Sequence, residues 1–407
     1  MKQINIKIIL LMLVLSSNII FAQFGGGRGT EQSPYQIRTR EHIEELAYFV
    51  KAGCQTFECF THNKYFKLMN DITDSVRCVI GEGYYISTNF EDANVFYKGH
   101  FDGQGHKITL AIVSDGHASL FGTAIYSTIQ NLRVDGYVKK SGNSRKRGWV
   151  FYDTCYSAAS IVGFAYKTKI SNCINYANIY IDYLGAASVG GIVGSFFNNT
   201  WWGLMELDII NGAVLDCINF GNIEIIYSPN NNHTVGGIIG TIYHSLSCSI
   251  KNCINFGTLK YNFQPVFMYS NLDNPALGGI FGKYICAFYP PYFANRYGIT
   301  TEIENCRNIG FIDGPGGGIF GTFLIVDIYE YYDELGGFKH RAVRTELKIK
   351  NCLNAGFISG SGGGIAFGKV FVLPLIDWQV DKLTIENCIN TGVLGGKPTN
   401  RGIANID

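Results

Sequence analysis

Apolar residues recur along this chain in two short, paired patterns rather than in one long period. The first is a glycine-flanked apolar strand: GGIVG at Gly190–Gly194, GGIIG at Gly236–Gly240, and GGIFG at both Gly278–Gly282 and Gly317–Gly321. Weaker copies lie at Leu120–Gly122, Ile161–Gly163 and Gly364–Gly368. The second is ISNCINYANI from Ile170, followed by VLDCINFGNI from Val214, IKNCINFGTL from Ile250, IENCRNIGFI from Ile303, IKNCLNAGFI from Ile349 and IENCINTGVL from Ile385. A copy without the cysteine, IQNLRVDGYV, begins at Ile129. Within each copy apolar and polar residues alternate with the period of a β-strand, and Gly or Asn punctuates the ends. Successive copies of the first pattern are roughly 31 to 46 residues apart. A unit of that size cannot bury its own apolar face, so neighbours must stack into a continuous core. The pattern predicts an all-β chain, a parallel β-helix of about seven coils with insertions.

Positions within the second motif take on mechanical roles. Leu132 stands in the earliest copy where later copies carry Cys173, Cys217, Cys253, Cys306, Cys352 and Cys388. A site that accepts Leu is expected in the core, with the cysteines as a reduced ladder. Like residues stacked at the strand spacing, about 4.8 Å, also sit poorly for the short Cβ separation of a disulfide. Asn175, Asn219, Asn255, Asn308, Asn354 and Asn390 follow two residues after each cysteine, with glycine two further on in five copies. The Asn-Gly pair is expected to mark a corner, through an asparagine ladder and left-handed backbone. Before the repeats, Thr39 is placed to N-cap an amphipathic helix over 40–50, with Ile43, Leu46, Ala47 and Val50 on one face. The expected organisation is a signal peptide at 1–22, an N-terminal cap at 23–95 and β-helix repeats at 96–407. After Leu394 nothing resembles a cap, which makes the last coil a candidate edge for self-association.

The paired GGIxG and IxNCxNxG motifs resemble GLUG-type repeats of bacterial surface and secreted proteins, including stalks beside IgA-specific metalloendopeptidases. Gly29–Ile37, Tyr65–Leu68 and the FDGQGH stretch at Phe101–His106 likewise resemble the opening of pectin-lyase-like β-helix domains. The resemblance spans most of the chain after residue 22. It implies a right-handed coil and an adhesive, spacer or surface role. No HExxH zinc-protease motif occurs, so it does not imply peptidase activity.

Composition adds compartment and excludes one partner class. Lys2 and Lys7, the apolar run Ile8–Leu15 and the Ala22-Gln23 junction read as a secretory signal cleaved after Ala22. The protein is thus expected in the medium, the periplasm or at the cell surface, with no spanning segment after cleavage. Charge is nearly balanced, 33 Lys and Arg against 32 Asp and Glu, which lacks the basic excess of a nucleic-acid binder.

Candidate chemistry is sparse. Cys54 and Cys59 are a candidate disulfide; no metal or cofactor is implied. Asp102–His106 reads as a tight structural turn, and no local run shows the carboxylate and base constellation of a lyase or hydrolase. Aromatic residues concentrate in segments between the two motifs: Trp201 and Trp202; Tyr289, Tyr292 and Tyr297; Tyr331 and Tyr332; and Trp378. Leaving successive coils at one corner, these insertions are expected to form a flank that binds carbohydrate or a surface protein. The function read from sequence is therefore an exported, adhesin-like binding module, leaning away from an enzyme. A polysaccharide lyase or glycoside hydrolase is the alternative.

Overall fold

A computed structural model describes residues 24–52, 60–82, 95–142, 157–183, 185, 187–198, 212–227, 233–244, 248–262, 276–287, 299–326, 331–332, 338–339, 345–360, 362–368, 382–395 and 404–406. One full coil shows the plan. Lys169–Ser171 lies in a first sheet, Ile174–Asn175 and Asn178–Tyr183 in a second, Ser188–Gly190 in a third and Val193–Asn198 in a fourth. The chain then returns to the first sheet at Ala213–Leu215, paired in parallel with Lys169–Ser171. Repetition builds sheets of 10, 13, 6 and 8 strands, and every ladder between coils is parallel. The fold is a parallel β-helix. Apart from the sheets, Tyr331–Tyr332 and Phe338–Lys339 form a small antiparallel pair.

The stack is longer than the seven motif pairs. Its first sheet begins with Tyr35–Ile37, Tyr65–Leu68 and His100–Asp102, which carry neither motif yet pair in the same register. Residues 23–95 thus supply rungs as well as the helix. That helix, Arg40–Ala52, buries Ile43, Leu46 and Val50, and the Thr39 hydroxyl accepts the His42 N–H at 3.4 Å as an N-cap does. Among the described residues, no helix is long and apolar enough to cross a membrane.

What joins the two sequence motifs is contact between them. Asn175, Asn219, Asn255, Asn308 and Asn354 are completely buried. Each side-chain amide donates to the Oδ1 of the next: Asn175 to Asn219 at 2.7 Å, Asn219 to Asn255 at 2.8 Å, Asn255 to Asn308 and Asn308 to Asn354 at 2.9 Å, and Asn354 to Asn390 at 2.8 Å. The partners are 44, 36, 53, 46 and 36 residues apart, which are the spacings of the cysteine motif itself. The glycines of GGIxG face this ladder. A Cβ on Gly237 would lie 2.1 Å from the Gly279 carbonyl oxygen and 2.3 Å from Asn255 Cγ; Gly191, Gly279 and Gly318 meet Asn219, Asn308 and Asn354 in the same way.

The corner differs from the sequence reading. The left-handed residues precede the cysteine: Asn131, Asn172, Asp216, Asn252, Asn305, Asn351 and Asn387 have φ between 52° and 57°. Asn and Asp tolerate this conformation better than bulkier residues. The ladder asparagines and the glycines after them do not adopt it. Those glycines are required by close approach instead, since a Cβ on Gly221 would stand 1.9 Å from the Ala177 carbonyl oxygen.

The cysteine column is core. Cys173, Cys217, Cys253 and Cys306 are fully buried, Cys352 nearly so, Cys388 is half-buried at the last rung, and all six are free thiols. Burial pushes the Cys173 and Cys253 thiols up, and each donates to a backbone carbonyl. Cys54 and Cys59 lie outside the described residues.

Asn255→Ala strands a donor on Asn219 and an acceptor on Asn308, each buried, and is expected to cost roughly 1–3 kcal/mol or more. Gly237→Ala adds volume where none is available and should destabilise by about as much. Urea unfolding followed by circular dichroism checks both; an unchanged midpoint in either would contradict the lock.

Candidate functional site

Most of the insertion aromatics, Trp201, Trp202, Tyr289, Tyr292, Tyr297 and Trp378, lie outside the described residues. Tyr331 and Tyr332 belong to the small antiparallel pair between the fourth-sheet strand Phe320–Val326 and the first-sheet strand Thr345–Lys350. All these insertions do connect the fourth sheet to the first, at one corner as expected. A second corner also carries long connections, between Gly142 and Ser157 and between Tyr261 and Ala276, so irregularity is not confined to one flank.

The outward faces of the sheets differ in chemistry. On the first sheet, Lys251 pairs with Glu302 and Glu304, Lys348 with Glu346, and Lys350 with Glu386, a solvated charge network. The second sheet has ion pairs too, Lys139 with Asp182 and Lys260 with Glu224, but beside them it exposes apolar side chains. Tyr176, Phe220 and Phe256, each directly after a ladder asparagine, stand about two-fifths exposed. Their rings stack face to face, with centroids 5.1 and 4.8 Å apart and planes within 2° and 6°. Ile309 continues the column and is similarly exposed. The rung spacing imposes this arrangement, because like residues on adjacent parallel strands sit about one ring separation apart.

At the Tyr176 end the stack borders a recess of about 300 Å³, lined by Asp71, Gly105, Lys107, Arg133, Asp135 and Tyr176. Register explains the change of chemistry. Asn175 pairs with Val134, so the position beside Tyr176 on the preceding rung is Asp135, not another ring. Lys107 Nζ lies 3.1 Å from Asp135 Oδ2, and the Gly136 N–H donates to Asp135 Oδ1 at 2.7 Å. Gly136, at φ 91°, is needed for that turn, since a Cβ there would meet the Leu110 carbonyl oxygen at 2.1 Å. Across the recess, Asp71 Oδ1 accepts the Lys107 N–H at 3.0 Å and lies 3.1 Å from His106 Nδ1. Gly105 closes the tight turn at φ 76°, and a Cβ there would meet nothing within 4 Å, which marks the open side.

Both carboxyls are held in the ionised form. The Lys107 backbone N–H, aided by His106, keeps Asp71 below its usual range. The Gly136 N–H and then Lys107 do the same for Asp135. A general acid needs the opposite shift. Among the described residues no group of three or more His, Cys, Asp and Glu side chains could hold a metal ion.

No local run of sequence shows this constellation, because the chain brings together residues 36 and 28 positions apart. Its signals were present but unread. INY, INF and INF in consecutive copies place an aromatic after the ladder asparagine, and the copy without cysteine carries RVD there instead.

A separate polar cluster is interior. Lys140 is completely buried, its ammonium donating to the carbonyl oxygens of Asp115 at 2.5 Å and Gly116 at 2.7 Å, 4.2 Å from the centre of the Tyr183 ring. Burial lowers its pKa to about 7. His117 Nδ1 accepts from the Ser157 N–H, and His233 Nδ1 from the Ala187 N–H. Burial, with Lys140 adding to it, lowers the His117 pKa to about 3; burial lowers His233 to about 4.

No family model and no curated protein matches the chain, so the resemblance to GLUG-type repeats rests on the motif residues alone. A crystal structure of a Bacteroides ovatus protein, described as a candidate immunoglobulin A1 protease, aligns over 94% of this chain and 87% of its own at 17% identity, with a TM-score of 0.48. The fold assignment stands on this chain's own strand pairing.

The buried histidines set a pH dependence. Unfolded, each binds a proton near pH 6.5; folded, His233 resists to about 4 and His117 to about 3. The unfolded chain therefore holds more protons in that window, and stability falls as pH drops from 6.5 towards 4. Thermal melts from pH 7 to 4 should show a declining midpoint, flatter in His233→Asn.

Proposed function

We propose that the chain is an exported, non-catalytic β-helix that binds its ligand on the outward face of the second sheet. The observation that carries this reading is the charged recess beside the exposed Tyr176, Phe220 and Phe256 stack. A recess with aromatic and paired polar groups has the makings of a recognition site. Both of its carboxylates are held ionised by hydrogen bonds, which suits them to act as fixed acceptors.

Export follows from Lys2, Lys7, the apolar run Ile8–Leu15 and Ala22-Gln23. The protein then acts in the medium, in the periplasm or at the cell surface, in keeping with the surface and spacer roles that the GLUG resemblance implies. The insertion aromatics belong to a different corner and form, in this reading, a second contact region for a partner. The alternative is a polysaccharide lyase or glycoside hydrolase using Asp71 and Asp135.

Two measurements test the proposal. N-terminal sequencing of the exported protein should begin at Gln23. Incubation with polygalacturonate and with neutral polysaccharides should release neither unsaturated products nor reducing ends; turnover that disappears in Asp71→Asn or Asp135→Asn would establish the enzyme instead.

A further inference from the structure

We infer that the recess is a subsite for one neutral pyranose ring of a glycan, stacked on the outer face of Tyr176 and hydrogen-bonded by Arg133 and Asp71. This rests on the binding role proposed above and assigns its ligand class.

Few ring faces of the aromatic column are available to a ligand. Within the stack, Tyr176, Phe220 and Phe256 cover one another's faces, so along its length only ring edges reach solvent. Two faces remain, one at each end. At the Phe256 end the next rung places Ile309 in the column. At the Tyr176 end the next rung places Asp135, and Tyr176 lines the recess. An aromatic face beside hydrogen-bonding groups suits the apolar C–H face of a pyranose, whose hydroxyls then lie at its rim.

The polar groups are matched to hydroxyls. Asp71 spends Oδ1 on Lys107 and His106, leaving Oδ2 as an acceptor. Asp135 is occupied by Gly136 and Lys107. Among the described residues no carboxylate bridges Arg133, so its guanidinium is the spare donor. One ionised acceptor and one forked donor can grip adjacent hydroxyls of a sugar.

Charge decides against an acidic ligand. The lining holds two carboxylates, Asp71 and Asp135, against two cations, Lys107 and Arg133. With Lys107 and Asp135 paired, Arg133 is left facing Asp71, so an anionic sugar that gains at the one is opposed by the other, whereas hydroxyls meet no such opposition. Size limits the ligand as well. A recess of about 300 Å³ is at the small end of ligand sites, which run from roughly 300 to 1,000 Å³, and so holds a single ring rather than a long segment.

The test is a glycan array probed with the whole protein, carrying hexose- and N-acetylhexosamine-terminated oligosaccharides beside oligogalacturonates and sialylated glycans. Neutral glycans should bind. Calorimetry with the strongest neutral oligosaccharide should show affinity weakened at least about tenfold by Tyr176→Ala and by Arg133→Leu. Tyr176→Phe, which preserves the ring, should retain binding. Lys348→Ala, on the charged outward face of the first sheet, should leave it unchanged and so separates loss of the subsite from a general effect of surface substitution. Absence of binding to every neutral glycan, or equal binding by Tyr176→Ala, overturns the inference. Binding confined to the anionic glycans overturns the ligand class while leaving the binding role intact, whereas turnover of the glycan counts against that role itself.

Discussion

The close approach of a buried asparagine amide and a glycine backbone is the constraint from which the rest of this β-helix follows. The amides need hydrogen bonds because they are removed from water, and the next coil's amide supplies one. The glycine opposite must lack a side chain because the asparagine already fills the space. Together they fix where each coil sits on the last. They leave free how long the coil is, so connections of very different length pass through one register.

That division explains how legible the chain was. The ladder cysteines and asparagines are read directly from the repeat, since a side chain whose neighbour above and below is its own kind leaves a periodic trace. Backbone conformation left a fainter one. The left-handed position is Asn172 or Asn252, one residue before cysteine, whereas the more noticeable Asn-Gly pair two residues later is governed by packing. Both are asparagines in the same short motif, and type alone does not separate them. Tyr35 and Phe66 are rungs that carry neither motif, so they leave no periodic trace and read as part of the cap.

The recess was the least legible part. Asp71, Lys107 and Asp135 are unrelated in sequence and become neighbours only because three successive rungs of the second sheet place them side by side. The informative event was a departure from the repeat: charged residues at Arg133 and Asp135 where the next three copies have Ile174, Ile218 and Ile254, and Tyr176, Phe220 and Phe256. Regular rungs build the face; the irregular rung gives it chemistry. Ion pairs occur on the outward faces of both sheets, and what distinguishes the second is the aromatic column that ends at this rung.

The asparagine ladder also gives the molecule an electrical direction. Each amide nitrogen from Asn175 to Asn354 contacts its own chain's carbonyl two residues on, which settles which end of the amide is which. Every inter-coil bond therefore runs the same way, nitrogen of the earlier rung to oxygen of the later one. Aligned amides polarise one another, so the bonds strengthen together along the axis. A coil joining the growing stack on its later side meets a waiting donor and must offer an acceptor. The two ends of the column are therefore not interchangeable.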